Sequence, residues 1–288
     1  MLKTVWFSKQ DNRKQGAVIL LGGFDGLHVG HRQLLARAKE SGLPVGVMTM
    51  SGVKQENSLF TFAEREKIFQ SAGVDFTFEL SFDEVKDLTP VEFLQLLESA
   101  FSPKCFVCGS DFRFGKNAEG NAQNIKEATQ VCVDVLPLLK INEVKVSSSC
   151  IKTLLKEGDL PTANQLLGHP FFLMGEVYRD RQVGRSIGFP TANISYPQDK
   201  FPLKLGVYET RVEVDGVVYK GITNYGARPT FDNGEIVTET HLLGFDGNLY
   251  GRTLQVEFIR FLRENKRFES VEQLQAQLEK DSRQVRDQ

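Results

Sequence analysis

Histidine and cysteine are scarce in this chain, with four of each among 288 residues, and there is one tryptophan. The thiols Cys105, Cys108, Cys132 and Cys150 supply no second C-x-x-C and no neighbouring histidine, which argues against a structural zinc module. Cys105 and Cys108 do form one C-x-x-C. They fall in Lys104 to Gly109, a short apolar segment that reads as a buried strand on which residues three apart point to opposite faces, so inert thiols are expected. Long apolar runs are missing too: no segment has about 18 uninterrupted apolar residues, and Met1 to Arg13 lacks the apolar stretch of an export signal. Membrane insertion and secretion are therefore not expected, and a cytosolic protein with reduced thiols is. Basic excess is absent, since the formal net charge is −2, so no global field exists to hold a polyanion and nucleic acid is not an expected partner. Neither G-x-G-x-x-G nor G-x-x-x-x-G-K-[ST] occurs, which removes the signatures of dinucleotide-fold and P-loop proteins.

What remains is an ordinary globular composition, 41% hydrophobic and 25% charged, on a chain long enough to make two cores the default. The first half alternates strand-like and helix-like segments. Ala17 to Leu21 is a short apolar run, Arg32 to Glu40 has a helical apolar face ended by Gly42, and Val45 to Thr49 reads as the next strand. Thr61 to Glu64 and Thr89 to Glu92 are both capping-box patterns, the second with Pro90 at the first helical position. Such alternation predicts an open, mostly parallel sheet wrapped by helices, with ligands at the carboxyl ends of its strands. From about Phe171 the pattern changes to short strands and turns. Val207 to Val214 and Val217 to Ile222 flank Asp215-Gly216, a strong hairpin signal, Leu254 to Phe261 supplies another strand, and Phe268 to Leu278 reads as a closing amphipathic helix. A small β-barrel with a C-terminal helix is expected there, linked to the first half by the partly helical stretch Gly158 to Gly168.

Two segments carry chemistry. Gly22-Gly23-Phe24-Asp25-Gly26-Leu27-His28-Val29-Gly30-His31 runs from the first strand into the first helix, so two imidazoles three residues apart stand beside helix-start amides, a setting suited to a triphosphate. Imidazole N–H groups there can donate to an α-phosphate as it becomes five-coordinate, without a covalent intermediate. Taken alone the same residues are also compatible with a helix cap and a surface histidine. In the second half, Thr191 and Asn193 offer two oxygen ligands near Pro190, and Glu239 and His241 share one face of a strand; taken alone, Pro190 to Asn193 also reads as a turn and Glu239 as a surface carboxylate.

Gly-x-Phe-Asp-Gly-x-His-x-Gly-His resembles the ATP-binding signature of bacterial FAD synthetases within the nucleotidyltransferase superfamily. Gly109-Ser110-Asp111-Phe112-Arg113-Phe114-Gly115 is similar to that family's G-x-[DN]-F-x-F-G, and Val146 to Lys152 to its second phosphate signature, I-S-S-T-x-I-R. Gly184-Arg185-Ser186-Ile187-Gly188-Phe189-Pro190-Thr191-Ala192-Asn193 resembles the riboflavin kinase G-R-x-L-G-F-P-T-A-N, with Gly206-Val207-Tyr208, Gly226 to Phe231 and Leu249-Tyr250-Gly251-Arg252 in support. The resemblance covers nearly the whole chain. It implies a Rossmann-like nucleotidyltransferase domain with a parallel sheet over 1–160, joining AMP to FMN, and a β-barrel kinase domain with a closing helix over 161–288, phosphorylating riboflavin.

By the same resemblance His28 and His31 act on the adenylyl transition state and Glu239 is the base of the kinase. ATP is expected at Gly22, Gly23, Phe24, Gly30, Ser147, Ser148, Ser149 and Lys152 in the first site, and at Gly184, Thr191 and Asn193 in the second. Flavin is expected at Asp111, Phe112 and Arg113, and Mg2+ on Thr191 and Asn193; the substrates are ATP, riboflavin and FMN. Two departures stand out. Lys152 takes the place of the family's arginine, giving charge without a planar fork, and Thr49-Met50-Ser51-Gly52-Val53 replaces T-F-x-P-H-P. They motivate an alternative, a riboflavin kinase joined to a non-catalytic flavin- or nucleotide-binding module.

Overall fold

Val18–Leu21 is apolar at every position and buried at every position, the mark of a strand covered on both faces. In the computed structural model, which describes residues 3–6, 16–52, 57–180, 188–227 and 236–287, that strand is the centre of the first of two units, Met1–Cys150 and Ile151–Gln288. Gly184 to Ile187, Val53 and Arg228 to Phe231 from the motifs above lie outside the described residues.

The elements of the first unit, in chain order, are β1 (Lys3–Trp6), β2 (Val18–Leu21), α1 (Val29–Lys39), β3 (Val45–Ser51), α2 (Phe62–Ser71), β4 (Phe76–Ser81), α3 (Phe82–Val85), α4 (Pro90–Phe101), β5 (Cys105–Gly109), β6 (Arg113–Phe114), β7 (Gly120–Asn121), α5 (Ala122–Ala128), β8 (Cys132–Leu136), β9 (Lys140–Ile141) and β10 (Val144–Lys145). The main sheet has the order β1-β4-β3-β2-β5-β8 and is parallel except for β1, which runs antiparallel to β4. Both capping boxes form as the spacing predicts, with Thr61 and Thr89 accepting from the amides of Glu64 and Glu92 and those carboxylates accepting in return. Gly46 explains itself by contact, because a Cβ there would stand 2.3 Å from the Phe76 ring. The core between sheet and helices is rich in phenylalanine: Phe76, Phe78, Phe93, Phe101 and Phe106 are all buried. Cys108 belongs to it, whereas Cys105 is only half-buried, beside the exposed Cys132.

The strand order reverses at β2, whose neighbours are β3 on one side and β5 on the other. A crevice outside the carboxyl ends of β2 and β5 follows from that reversal, and the loops after these strands carry the Gly22–His28 and Gly109–Arg113 motifs.

The second unit contains α6 (Ser148–Glu157, which starts at the end of the first), α7 (Leu160–Leu167), β11 (Phe171–Glu176), β12 (Ala192–Ser195), β13 (Gly206–Val214), β14 (Val217–Ala227), β15 (Ile236–Leu242), β16 (Thr253–Arg263) and α8 (Val271–Arg286). Six antiparallel strands in the order β11-β16-β13-β14-β15-β12 make a nearly closed barrel. Among the described residues its open seam carries one bridge, where the amide of Tyr178, two residues beyond β11, donates to the carbonyl of Asn193 on β12 at 3.1 Å. The β13–β14 hairpin turns on Asp215 and Gly216, both at positive φ, as the dipeptide predicts. The stretch expected to link the halves instead packs on the barrel, because Asn164 of α7 donates to the Phe258 carbonyl and accepts from the Phe171 amide. The closing helix also differs from expectation, starting at Val271 and running to Arg286, since Ser270 caps it by accepting from the Gln273 amide. Buried Asp281 holds it down, taking the Arg263 guanidinium on both carboxylate oxygens at 2.8–3.2 Å.

Candidate functional site

A cavity of about 450 Å³ opens at the crevice of the first unit. Gly22, Gly23, His28, Gly30 and His31 line it from the β2–α1 loop, Asp111, Phe112 and Arg113 from the loop after β5, and Ser147 and Ser148 from the start of α6. Three segments far apart in sequence thus converge on one space. Phe24 does not line it but lies beneath, fully buried, with its ring 4.4 Å from that of His31. Ser149 is exposed and outside the lining, and the Lys152 ammonium stands 5.6 Å from the centre of the Phe201 ring. Gly23 leaves open space, since a Cβ there would meet nothing within 4 Å; one on Gly30 would press on the His28 ring at 3.2 Å, so Gly30 makes room for the imidazole rather than for ligand alone.

His28 is the N-cap of α1, and its Nδ1 accepts from the His31 amide at 3.2 Å. His31 donates from Nδ1 to the Gly26 carbonyl at 3.1 Å. These partners set the tautomers: neutral His28 carries its proton on Nε2, while neutral His31 carries its own on Nδ1 and leaves Nε2 as an acceptor. The rings are stacked 3.6 Å apart. Burial pushes His28 down to about 4, against small opposing effects from its own backbone and Asp111. Burial, then the neighbouring His28, hold His31 well below 6.5, with the Gly26 carbonyl opposing. Both imidazoles are neutral at pH 7, and only His28 then has an Nε2–H to donate. The Lys145 ammonium, at the end of the β9–β10 hairpin, sits 2.7 Å from Oδ2 of Asp111 in the loop after β5, a pairing that the spacing did not reveal.

The second unit has a cavity of about 560 Å³ lined by Thr191 and Asn193, by Val177 and Arg179 after β11, by Thr240 and Leu242 of β15, and by Phe245 to Tyr250. Asn193 is 5% exposed, and its Oδ1 is buried with no hydrogen-bond partner among the described residues. An orphaned carbonyl oxygen in a cavity that Thr191 also lines fits a hard, oxygen-preferring divalent cation. Glu239 does not line this cavity; it pairs in register with Asn193 on β12 and Asn224 on β14, and Asn224 Nδ2 lies 3.4 Å from its Oε2. His241, two residues on, donates from Nδ1 to the Pro190 carbonyl at 2.8 Å and packs edge-on against Phe189. It therefore positions the Thr191–Asn193 segment. On the opposite face of β15, Thr240 ends a buried hydroxyl chain, 2.9 Å from Thr223, which is 2.8 Å from Thr210.

Pro137, Leu138 and Leu139 of the first cavity escaped the motif reading. Their signal was positional: they follow β8 at the carboxyl end of a parallel strand.

Comparisons with known proteins agree with this two-part layout. The family model described as FAD synthetase matches residues 10–150, and the one described as riboflavin kinase matches residues 167–288. The bifunctional riboflavin kinase/FMN adenylyltransferase of Bacillus subtilis strain 168 is 33% identical, over 93% of this chain and 91% of its own, and that of Escherichia coli K12 is 35% identical over the same shares. A crystal structure described as a macrolide-efflux protein from Streptococcus pneumoniae is 30% identical and superposes with a TM-score of 0.86 over 95% of this chain and 94% of that one. Among the described residues no helix is long and apolar enough to cross a membrane.

Proposed function

The chain belongs to the family of bifunctional riboflavin kinase/FMN adenylyltransferases, and from that premise we propose how its two cavities divide the work. The second unit phosphorylates riboflavin with ATP to give FMN and ADP. The first unit then joins AMP from a second ATP to FMN, giving FAD and pyrophosphate. The observation that carries the assignment is the convergence of His28, His31, Asp111, Phe112, Arg113, Ser147 and Ser148 on one space at the strand-order reversal. Relatives that match over both halves are named for both activities, so the reading of a degenerate first module is set aside. The cytosol, which supplies ATP and keeps the four thiols reduced, is the proposed setting.

In the first cavity a phosphate oxygen of FMN attacks the α-phosphorus of ATP and pyrophosphate leaves. His28 donates from Nε2 to a non-bridging oxygen as charge builds there, while the α6 start at Ser147 and Ser148 offers hydroxyls and amides to the departing phosphates. Phe112 and Arg113 hold the flavin substrate.

In the second unit Glu239 accepts the proton of the ribityl 5'-hydroxyl as that oxygen attacks the γ-phosphorus, and Asn224 orients its carboxylate. Thr191 and Asn193 would hold Mg2+, which would supply neutralisation of phosphate charge. His241 keeps these two ligands in place through Pro190.

The test is incubation of the protein with riboflavin and Mg-ATP, separating FMN from FAD by chromatography. Glu239→Gln should nearly abolish FMN formation while leaving FAD formation from supplied FMN. His28→Ala should do the reverse, lowering FAD formation by about 10²-fold, the scale of a lost oxyanion donor. Equal loss of both activities in either variant would overturn the two-site division.

A further inference from the structure

The kinase reaction as assigned above gives no protein cation to the nucleotide. Mg-ATP keeps a net negative charge, and the Thr191 and Asn193 ligands are neutral. Among the described residues lining the second cavity, two side chains are charged, Arg179 and Asp246. Arg179 stands with its guanidinium carbon 5.1 Å from the centre of the Tyr250 ring, which lines the same cavity. Among the described residues no carboxylate pairs with it.

The position of Arg179 is set by backbone, not by chance of a long side chain. Val177 donates its amide to the Arg252 carbonyl at 2.9 Å and accepts from the Gly251 amide at 2.8 Å, which ties it to the segment carrying Tyr250. Tyr178, the next residue, donates to the carbonyl of Asn193. Arg179 therefore follows two residues tied by backbone bonds to the segment of Tyr250 and to Asn193, and it lines the same cavity as both. Packing one face of the guanidinium on an aromatic ring limits its rotation and leaves the N–H edge for an anion. Riboflavin is uncharged, so the substrate that answers a cation here is the nucleotide, and the planar fork matches two oxygens of a phosphate.

We propose that Arg179, stacked on Tyr250, is a specificity-determining residue of the kinase reaction that grips the polyphosphate of ATP at the cavity mouth. The proposal rests on the kinase assignment of the second unit. It concerns ground-state grip on the nucleotide, whereas Glu239 concerns proton removal, and the two separate kinetically.

FMN formation is measured with Mg-ATP varied at saturating riboflavin, and with riboflavin varied at saturating Mg-ATP, for the parent, Arg179→Ala and Arg179→Lys. Arg179→Ala is expected to raise KM for Mg-ATP about 10-fold or more, the scale of a charge-assisted hydrogen bond, with kcat within about 3-fold and KM for riboflavin unchanged. Arg179→Lys keeps the charge but not the stacked fork, so it should recover only part of the loss. FAD formation from supplied FMN, carried by the other unit, should match the parent in both variants. An unchanged KM for Mg-ATP in Arg179→Ala, a rise confined to riboflavin, or full recovery by lysine would each overturn the proposal. A parent that made FAD from FMN but no FMN from riboflavin would bring down the kinase assignment itself, and the Arg179 proposal with it.

Discussion

Keeping His28 neutral inside the first unit has a cost that grows with acidity, and its size follows from the structure. The group titrates at about 4 when folded, against 6.5 when exposed, chiefly because burial removes it from water. Above pH 6.5 neither state binds the proton. As pH falls from 6.5 towards 4 the unfolded chain takes one up and the folded chain does not, so stability is lost across that window. Between 6.5 and pH 5.0 lie one and a half decades of proton activity at about 1.4 kcal/mol each, or about 2 kcal/mol of stability. For a unit of this size that corresponds to about 4–8 °C in melting temperature. The perturbation is His28→Gln, which removes the titrating ring but keeps a polar side chain at the α1 cap. Melting followed at pH 7.5 and 5.0 should show a drop for the parent that exceeds the drop for the variant by that amount; carboxylates titrate in both and cancel. Parallel curves for the two proteins would refute the argument, because they would mean that His28 is not held neutral by burial.

Asn193→Ala should raise the Mg2+ concentration needed for half-maximal FMN formation by about 10-fold, since it removes the orphaned oxygen, while the melting temperature stays close to the parent's. A magnesium titration that overlays the parent's would count against the cation site. Asp281→Ala should destabilise the second unit by about 3–5 kcal/mol, the usual cost of stranding a largely buried charge, here the Arg263 guanidinium. Urea unfolding reads this directly, and a change below about 1 kcal/mol would show that the pair does not anchor α8.

What the sequence disclosed was local. Thr61 and Thr89 announce their helices because a capping box is complete within four residues, and Asp215-Gly216 announces its turn because the backbone demand falls on two residues. The histidine motif could be placed at a strand-to-helix junction for the same reason. Pairings that depend on tertiary placement stayed hidden: Lys145 of a hairpin with Asp111 of the loop after β5, Arg263 of β16 with Asp281 of α8, and the hydroxyl chain Thr210, Thr223, Thr240 across three strands each join residues from different elements. Spacing could not separate the two histidines either. Their difference lies in one carbonyl, that of Gly26, and one amide, that of His31, and both appear only once the loop has closed.

Among the described residues, five of the six seams between neighbouring strands of the second unit are zipped by ladders, while the sixth carries one bridge, between Tyr178 and Asn193. Parting that bridge forfeits about 1 kcal/mol of net hydrogen bond, together with the packing of Ile194 on Gly175 across the seam, and leaves every ladder intact. On the proposed assignment the least tightly paired seam lies where Thr191, Asn193 and Arg179 stand, so that a nucleotide would gain a way in without melting the sheet. Once seated, the ligand serves as the missing stave: its binding free energy closes the gap by mass action. Occupied and empty proteins should then differ in amide exchange at Val177 and Tyr178, at the rim of the opening, while the β13–β14 ladder on the far side of the barrel exchanges at one rate in both.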